Sequence, residues 1–488
     1  MEKTKLTEKI AKEISRLVEV IEHYEDTDLP VHEIERGILN HLLELGLCLL
    51  KYVIDQKLEK MNKYVPQVCH ISKGKRNRKY LSLFGLLEIT RPSYWAESCG
   101  KFYKLDEYLN LPIGSYWSYN LQELIGENAS ETDYEESIRI VNKLLNLGLS
   151  GKSSERNVNR LGKYVEDFYE STPLKEADES HFCVSFDGKG VPKIKPDKEK
   201  ESNPKERLKR GEKKGIKQMA TVSVSSSFKV RHRSADSILN GLMGVDQTEG
   251  NNKENKAKRR GYDNRMHTNI HRRAFLADQE KAVEYGIKDI KQRMTNPQSR
   301  FVVPIDAGIG LEDKVLKYIQ KYDLQSQFDG IILDIVHVSE YVWEAANAIF
   351  GDQSSLRTIW VRELLKDLLE SKTDKVIKDL QLNRDKTKLS KSKKAQLNKT
   401  ILYFTNHKHK MDYKRYLEKG YPVSSAIVES TCGHLVKDRM EQSGMRWSSK
   451  GAQNMMDLRA VKINGDIEDF MEFVIQRDRK VTLIKSAA

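Results

Sequence analysis

From Ile34 through Ile38, Leu42, Leu45 and Leu49 to Tyr52, apolar residues return at steps of three and four, which predicts a long helix over residues 32–64. A stripe of that length serves as a core face or as the seam of a dimer. Residues 1–24 predict a helix before it. Lys73-Gly-Lys-Arg-Asn-Arg-Lys79 reads as a basic turn, and Tyr80–Trp95 alternates loosely as two short strands about Gly85. Helical spacing resumes over Tyr134–Leu147 and Ser154–Tyr169, on either side of Gly148-Leu-Ser-Gly-Lys-Ser153. Helix, short glycine-containing turn and helix is the helix-turn-helix pattern.

After Pro173 the period changes to two. Strands are predicted at His181–Phe186, Lys217–Ser227 and Phe228–Arg233, then a helix at Arg273–Met294. Strand Phe301–Ile305, helix Glu312–Tyr322 and strand Phe328–Asp334 follow. Strands first, then alternating strand and helix, predict an α/β mixed sheet. Lys193–Lys217 and Gly250–Arg260 are polar and read as solvated loops. Residues 347–420 are helical and charged and read as an insertion. The resulting plan is a mainly helical N-terminal region at 1–172, with the helix-turn-helix at about 133–170. A sheet domain at 180–346 follows, then the helical insertion at 347–420 and the rest of the sheet domain at 421–475.

At 488 residues the chain exceeds one ordinary core. Its 84 Lys and Arg against 71 Asp and Glu leave a charge of +13, which favours a polyanionic partner, with nucleic acid the default. The second helix of the helix-turn-helix carries Arg156, Asn157, Asn159, Arg160 and Lys163, residue types that reach base edges and phosphates. An ordinary helical hairpin with a solvated face would carry them too. The five cysteines are scattered with no Cys-x-x-Cys spacing, which argues against a disulfide framework or zinc ribbon and suits a reducing cytoplasm. The charged N-terminus does not read as a signal peptide, and charge interrupts the apolar stretches short of a membrane span, so no membrane partner is expected. His267 and His271 have no acid beside them and read as surface residues.

Three carboxylates carry the candidate chemistry. Asp187 ends the run His181–Phe186 and shares a face with Cys183 and Ser185, with Gly188 and Gly190 behind it. Asp306 ends the run Phe301–Ile305 before a helix. Ligands of open α/β sheets collect at such strand ends. Glu429 lies on an apolar helical segment capped by Ser424 or Ser425, beside a stripe of Val428, Cys432, Leu435 and Val436. A carboxylate so placed needs a partner, either a metal ion or a salt bridge to Arg439 or a lysine.

The segment Gly420-Tyr-Pro-Val-Ser-Ser-Ala-Ile-Val-Glu429, with Val436-Lys-Asp-Arg439, Ser443-Gly-Met-Arg-Trp447, Gly451-Ala-Gln453 and Leu458-Arg-Ala460, resembles the C-terminal signature of bacterial ISKra-type insertion-sequence transposases. These are DDE enzymes of the Mutator-like superfamily. Asp187-Gly-Lys-Gly-Val191 resembles the family's first-acid motif, Asp306-Ala-Gly308 sits where the second acid stands, and Asp334-Ile-Val-His337 resembles the Asp-x-x-His element after it. The resemblance runs from about Leu105 to Phe470. It implies a ribonuclease-H-like catalytic domain with a helical insertion before the Glu, preceded by a DNA-binding region. It also implies Mg2+, or Mn2+ in its place, held by Asp187, Asp306 and Glu429. The activity it implies is cleavage of transposon ends and strand transfer into target DNA by a homodimer or higher oligomer, in the bacterial cytoplasm at the nucleoid. Asp334, His337 and Arg439 would be accessory, and Arg446 and Trp447 would hold DNA. The family presents its second acid in Gly-Asp-Gly where this chain has Ile305-Asp306-Ala307, which leaves Asp334 as the alternative. A domesticated or inactive relative acting as a sequence-specific DNA-binding protein is the other reading.

Overall fold

The computed structural model describes residues 2–25, 28–61, 71–97, 100–172, 179–194, 216–244, 266–308, 310–350, 355–386 and 388–487. Most of the loop expected at Lys193–Lys217, all of Gly250–Arg260, and Cys69 and Cys99 lie outside the described residues. The chain divides into two compact units, residues 1–168 with 465–488, and residues 169–464. The expected boundaries at 172 and 475 move because the last helix, Ile467–Ala487, belongs with the N-terminal unit.

In that unit α1 (Glu2–Glu25) packs on α2 (Val31–Met61), where Gly37 leaves the space that Tyr24 fills. The stripe expected to form a core face is partly solvent-facing, with Leu42 47% and Leu49 39% exposed. Core contacts come instead from Leu47, Leu50, Ile54 and Leu58, packed with Leu87, Ile89 and Leu105. By length and composition α2 is also apolar enough to cross a membrane, with a mean hydropathy of 1.4 over 18 residues. The expectation that every apolar stretch falls short of a span therefore fails for this helix, because such a window tolerates two charges.

β1 (Ile71–Ser82) and β2 (Gly85–Ala96) form an antiparallel hairpin with Ser82 opposite Gly85, and β3 (Gly100–Phe102) pairs with β2. The segment read as a basic turn is thus strand. Its cations do not disrupt the pairing, because Lys73, Lys75, Arg76 and Lys79 stay exposed and Arg78, with Arg91 from β2, donates to Asp106 in α3 (Lys104–Tyr108). Three helices follow: α4 (Tyr119–Glu131), α5 (Tyr134–Leu145) and α6 (Gly151–Leu161). Asp133 caps α5 by accepting from the Glu136 amide at 2.9 Å, and Asn146 ends it in the left-handed region at φ 50°. The Asn142 side chain bonds both the N–H and the C=O of Leu149 at 2.9 Å, which fixes the turn into α6. Leu121, Ile125, Ile138 and Val141 make the core of the three helices, with Trp117 and Leu81. The helix expected over 154–169 is two, because a 3-10 turn at Gly162–Tyr164 separates α6 from α7 (Val165–Ser171).

The second unit is mixed α/β. Its chain order is β4 (His181–Lys193), β5 (Ile216–Phe228), α8 (Ala235–Met243), β6 (His267–Leu276), α9 (Gln279–Arg293), β7 (Arg300–Ile305), α10 (Leu311–Lys321) and β8 (Phe328–Leu333). The sheet order is β6-β5-β4-β7-β8. β4/β5 and β5/β6 are antiparallel, while β4/β7 and β7/β8 are parallel. Two expectations fail here. Residues 229–234 form no strand, and the third strand is β6, whose end takes up the start of the helix expected at 273. One face, with Phe182, Val184, Phe186, Val303 and Ile305, packs on α9 and α10. There Gly286 brings α9 so close that a Cβ would overlap Val184, Phe186 and Ser223.

The insertion does fold as helices: α11 (Ile335–Phe350), which leads into it, then α12 (Ser355–Leu369), α13 (Thr373–Lys386), α14 (Lys391–His407) and α15 (Tyr413–Glu418). Among the described residues its core is shared with the sheet. Val338, Val361, Leu365, Leu380, Phe404 and Tyr413 share one cluster with Cys183, Val302 and Ile332 on the other face of the sheet. The chain then forms α16 (Ala426–Thr431), a π-helical turn over Cys432–Lys437, and α17 (Ser449–Asn464), which lies along β6. The Gln453 side chain accepts from the Leu276 amide at 2.8 Å and donates to the Ala274 carbonyl at 2.9 Å. Asn464 does the same for Arg272, at 3.0 and 3.1 Å. Side-chain amides thus occupy the backbone groups of the edge strand. Asn464 also donates to the Tyr169 hydroxyl at 3.0 Å, so the two ends of this unit touch.

Candidate active site

β4 runs on past Asp187 to Lys193 against β5, but its pairing with β7 stops at Phe186 opposite Ile305. Asp187 and Asp306 are therefore the residues that follow the last pair, Asp187 still within β4 and Asp306 just past the end of β7. Phe186 and Ile305 face α9 and α10, so alternation turns both carboxylates to the opposite face. Asp187 is partly buried, and its Oδ1 accepts from the Gly188 amide at 2.6 Å. Asp306 accepts from the Gly308 amide at 3.1 Å. Burial pushes the Asp306 carboxyl above the usual range; the Gly308 bond opposes this, and the charges of Asp187 and Asp334 add to it. Two carboxylates at adjacent strand ends suit a hard divalent cation, which takes oxygen ligands.

α16 lies against β4 and β5 and carries Glu429. Glu429 is exposed, not set beside the core as the sequence suggested, because its neighbours Ile427, Val428 and Thr431 take the buried face. No hydrogen bond or ion pair holds its carboxylate among the described residues. Cys432 is a buried thiol near Asp187, pushed well above its ordinary pKa by burial and then by the Asp187 charge. Among the described residues no three acids, histidines or cysteines are gathered closely enough to hold a metal ion. The Asp187–Asp306 pair thus fits a cation, while the three-carboxylate cage is not closed in this arrangement.

Asp334 is 2% exposed, and both its oxygens are engaged. Oδ1 accepts from the Val336 amide at 2.6 Å, and Oδ2 accepts from the Ser425 amide at 2.8 Å and from the Ser425 hydroxyl. That disfavours it as the second acid. His337 sits partly exposed near Asp334 and Asp306, with Nδ1 3.3 Å from Glu340. Burial alone would lower its pKa, but Asp334, Glu340 and Asp306 outweigh burial and leave it raised.

The other expected residues separate into two sets. Arg439 is fully buried and stacks over the Trp447 ring at 5.0 Å. Trp447 donates from Nε1 to the Met440 carbonyl at 3.0 Å, and its backbone bonds Pro192 and Ile194 at 3.0 Å. These two pack the end of β4, and neither presents a surface to DNA here. Arg446 is exposed. On α6, Arg156 is exposed and Asn159 half-exposed, with Lys163 exposed just beyond; they line an open groove with Tyr116 and Trp117. Asn157 is buried and donates to the Gln122 carbonyl at 2.7 Å. Arg160 also lines the groove but spends its guanidinium on Asp478 and Gln122.

Sequence reasoning missed Cys432 as a neighbour of Asp187, Ser425 as a partner of Asp334, and Tyr403 of α14, whose hydroxyl feels Asp306 and Asp334. It also misplaced His267 and His271, which are 6% and 8% exposed. His271 Nδ1 lies 2.6 Å from Asp289 Oδ1, and Ser225 and Arg293 meet the other oxygen. This is not a nucleophile site. Ser225 donates to the acid and not to the imidazole, and all four groups are buried.

No family model matches this chain, and no curated protein matches it.

Proposed function

We propose that the chain is a DDE-type DNA transposase that cuts transposon ends in a metal-dependent reaction and joins the freed 3′-hydroxyl to target DNA. The observation that carries this reading is the placement of Asp187 and Asp306 where the pairing of two neighbouring parallel strands ends, with the Glu429 helix packed against the same sheet. The sheet order and strand directions are those expected of a ribonuclease-H-like domain, which supports the same reading. Asp187 and Asp306 would hold Mg2+, and Glu429, exposed and unengaged, is the residue available to complete the set. Bound there, the metal would supply a lowered pKa for the attacking hydroxyl and charge neutralisation at the phosphate. Asp334 and the buried Arg439–Trp447 pair would hold the surrounding backbone, and His337 would keep a proton near the acids. Arg156, Asn159 and Lys163, with Arg446, would meet DNA phosphate and base edges.

The open arrangement of the three carboxylates favours a second reading, a relative that binds DNA without cutting it. Strand cleavage and joining on DNA carrying the element's ends, with Mg2+, separates the two. Under the transposase reading wild type cuts and joins. Asp187→Ala, Asp306→Ala and Glu429→Ala each still bind DNA but lose both steps by at least about a thousandfold, the scale of losing a group made essential in the transition state. A wild type that binds and never cuts supports the second reading.

A further inference from the structure

We propose that Asp334 is a positioning residue that sets Glu429 against the strand-end carboxylates by clamping Ser425; its bearing on catalysis rests on the transposase reading above. α16 runs on without a break into the π-helical turn Cys432–Lys437, and its N-terminal end, which carries Glu429, begins at what grips Ser425. Ser425 is its N-cap, yet the Ser425 side chain makes no capping bond. Its hydroxyl and its amide both donate to Asp334 Oδ2. The Ser425 carbonyl then accepts from the amides of Val428, at 2.9 Å, and of Glu429 itself, at 3.3 Å. One residue therefore links the Asp334 carboxylate to the backbone of Glu429.

The other side of Asp334 faces the acid pair. Its own amide donates at 2.9 Å to the carbonyl of Ile305, the residue before Asp306. Its Oδ1 accepts from Val336 and so starts α11. A second rung runs alongside, from the Ile335 amide to the Val423 carbonyl at 3.1 Å. The segment Tyr421–Ser425 is buried throughout. The point where the chain leaves the sheet for the insertion is thus bonded to the point where it returns, 91 residues later. A charged acceptor with three donors is a strong tie.

The test is amide hydrogen exchange on the metal-free full chain, comparing wild type with Ser425→Ala and Asp334→Asn. The clamp predicts about tenfold faster exchange over residues 426–431, the effect of losing one charge-assisted bond, with α10 unchanged. Unchanged exchange over 426–431 in folded variants overturns the clamp. Should Asp334→Asn fail to fold, Ser425→Ala, which removes one hydroxyl, decides. The second arm is strand cleavage. Ser425→Ala is expected to lower kcat about tenfold while KM for DNA stays within about twofold. Faster exchange with an unchanged kcat overturns the link to Glu429. A wild type that cuts no DNA removes the transposase reading, and the exchange arm still decides the clamp.

Discussion

Arg160 and Arg156 lie four residues apart on one helix and have different fates. Asp478, 2% exposed, receives Arg160, the hydroxyls of Tyr119 and Tyr164 at 3.0 and 3.1 Å, and the Ile113 amide at 3.2 Å. Arg160→Ala leaves that carboxylate buried without its cation and is expected to cost about 3 kcal/mol in urea unfolding. Arg156→Ala is expected to leave stability within about 0.5 kcal/mol, weaken DNA binding, and reduce the salt slope by about one. Equal losses of stability in the two variants would remove the distinction. A pH dependence follows from Asp289. Burial pushes its carboxyl up, but His271, Arg293 and Ser225 outweigh that and hold it below the ordinary range. A depressed carboxylate stabilises the fold above the unfolded pKa, and that contribution fades as pH falls through the folded pKa. Asp289→Asn should therefore destabilise by about 3 kcal/mol at pH 7 and progressively less in acid, as read by thermal melts across pH. A deficit that does not shrink in acid would assign the effect to packing alone.

At the scale of elements, what the sequence made legible was what its own neighbours determine. β7, β8 and α10 emerged within a residue or so because continuous apolar runs and a clean helical stripe need no outside partner to be read. β6 did not. Its His271, Arg272 and Arg273 look solvent-bound in isolation, and become strand because Asp289 and Asp457 satisfy the His271 and Arg273 side chains and Asn464 the Arg272 backbone. The basic strand β1 was hidden for the same reason, with Asp106 its distant partner. In the candidate site, Asp187 and Asp306 could be found because each follows an apolar strand run. The exposure of Glu429 and the diversion of Ser425 to Asp334 could not, because they depend on where a long insertion returns.

For the molecule as a whole, the helical insertion is a wall of the sheet, not an appendage. Its helices share one cluster with Val302, Ile332 and Cys183, so they cover much of one face of the sheet, together with Ile238 and Leu239 of α8. Replacing residues 351–420 by a short linker is expected to give an insoluble chain that exposes a large apolar surface, read by solubility and by dye binding. A soluble, cooperatively melting deletion would show the insertion to be independent.

The nesting of one unit inside the other also bears on how the protein is made. The α5–α6 pair is synthesised early, but the carboxylate that receives Arg160 lies at Asp478 and leaves the ribosome only after the entire sheet unit has been translated. The sheet unit, whose two ends meet at Tyr169 and Asn464, can close first. A nascent or truncated chain can therefore carry a finished sheet unit while the carboxylate that receives Arg160 is still missing from the other unit.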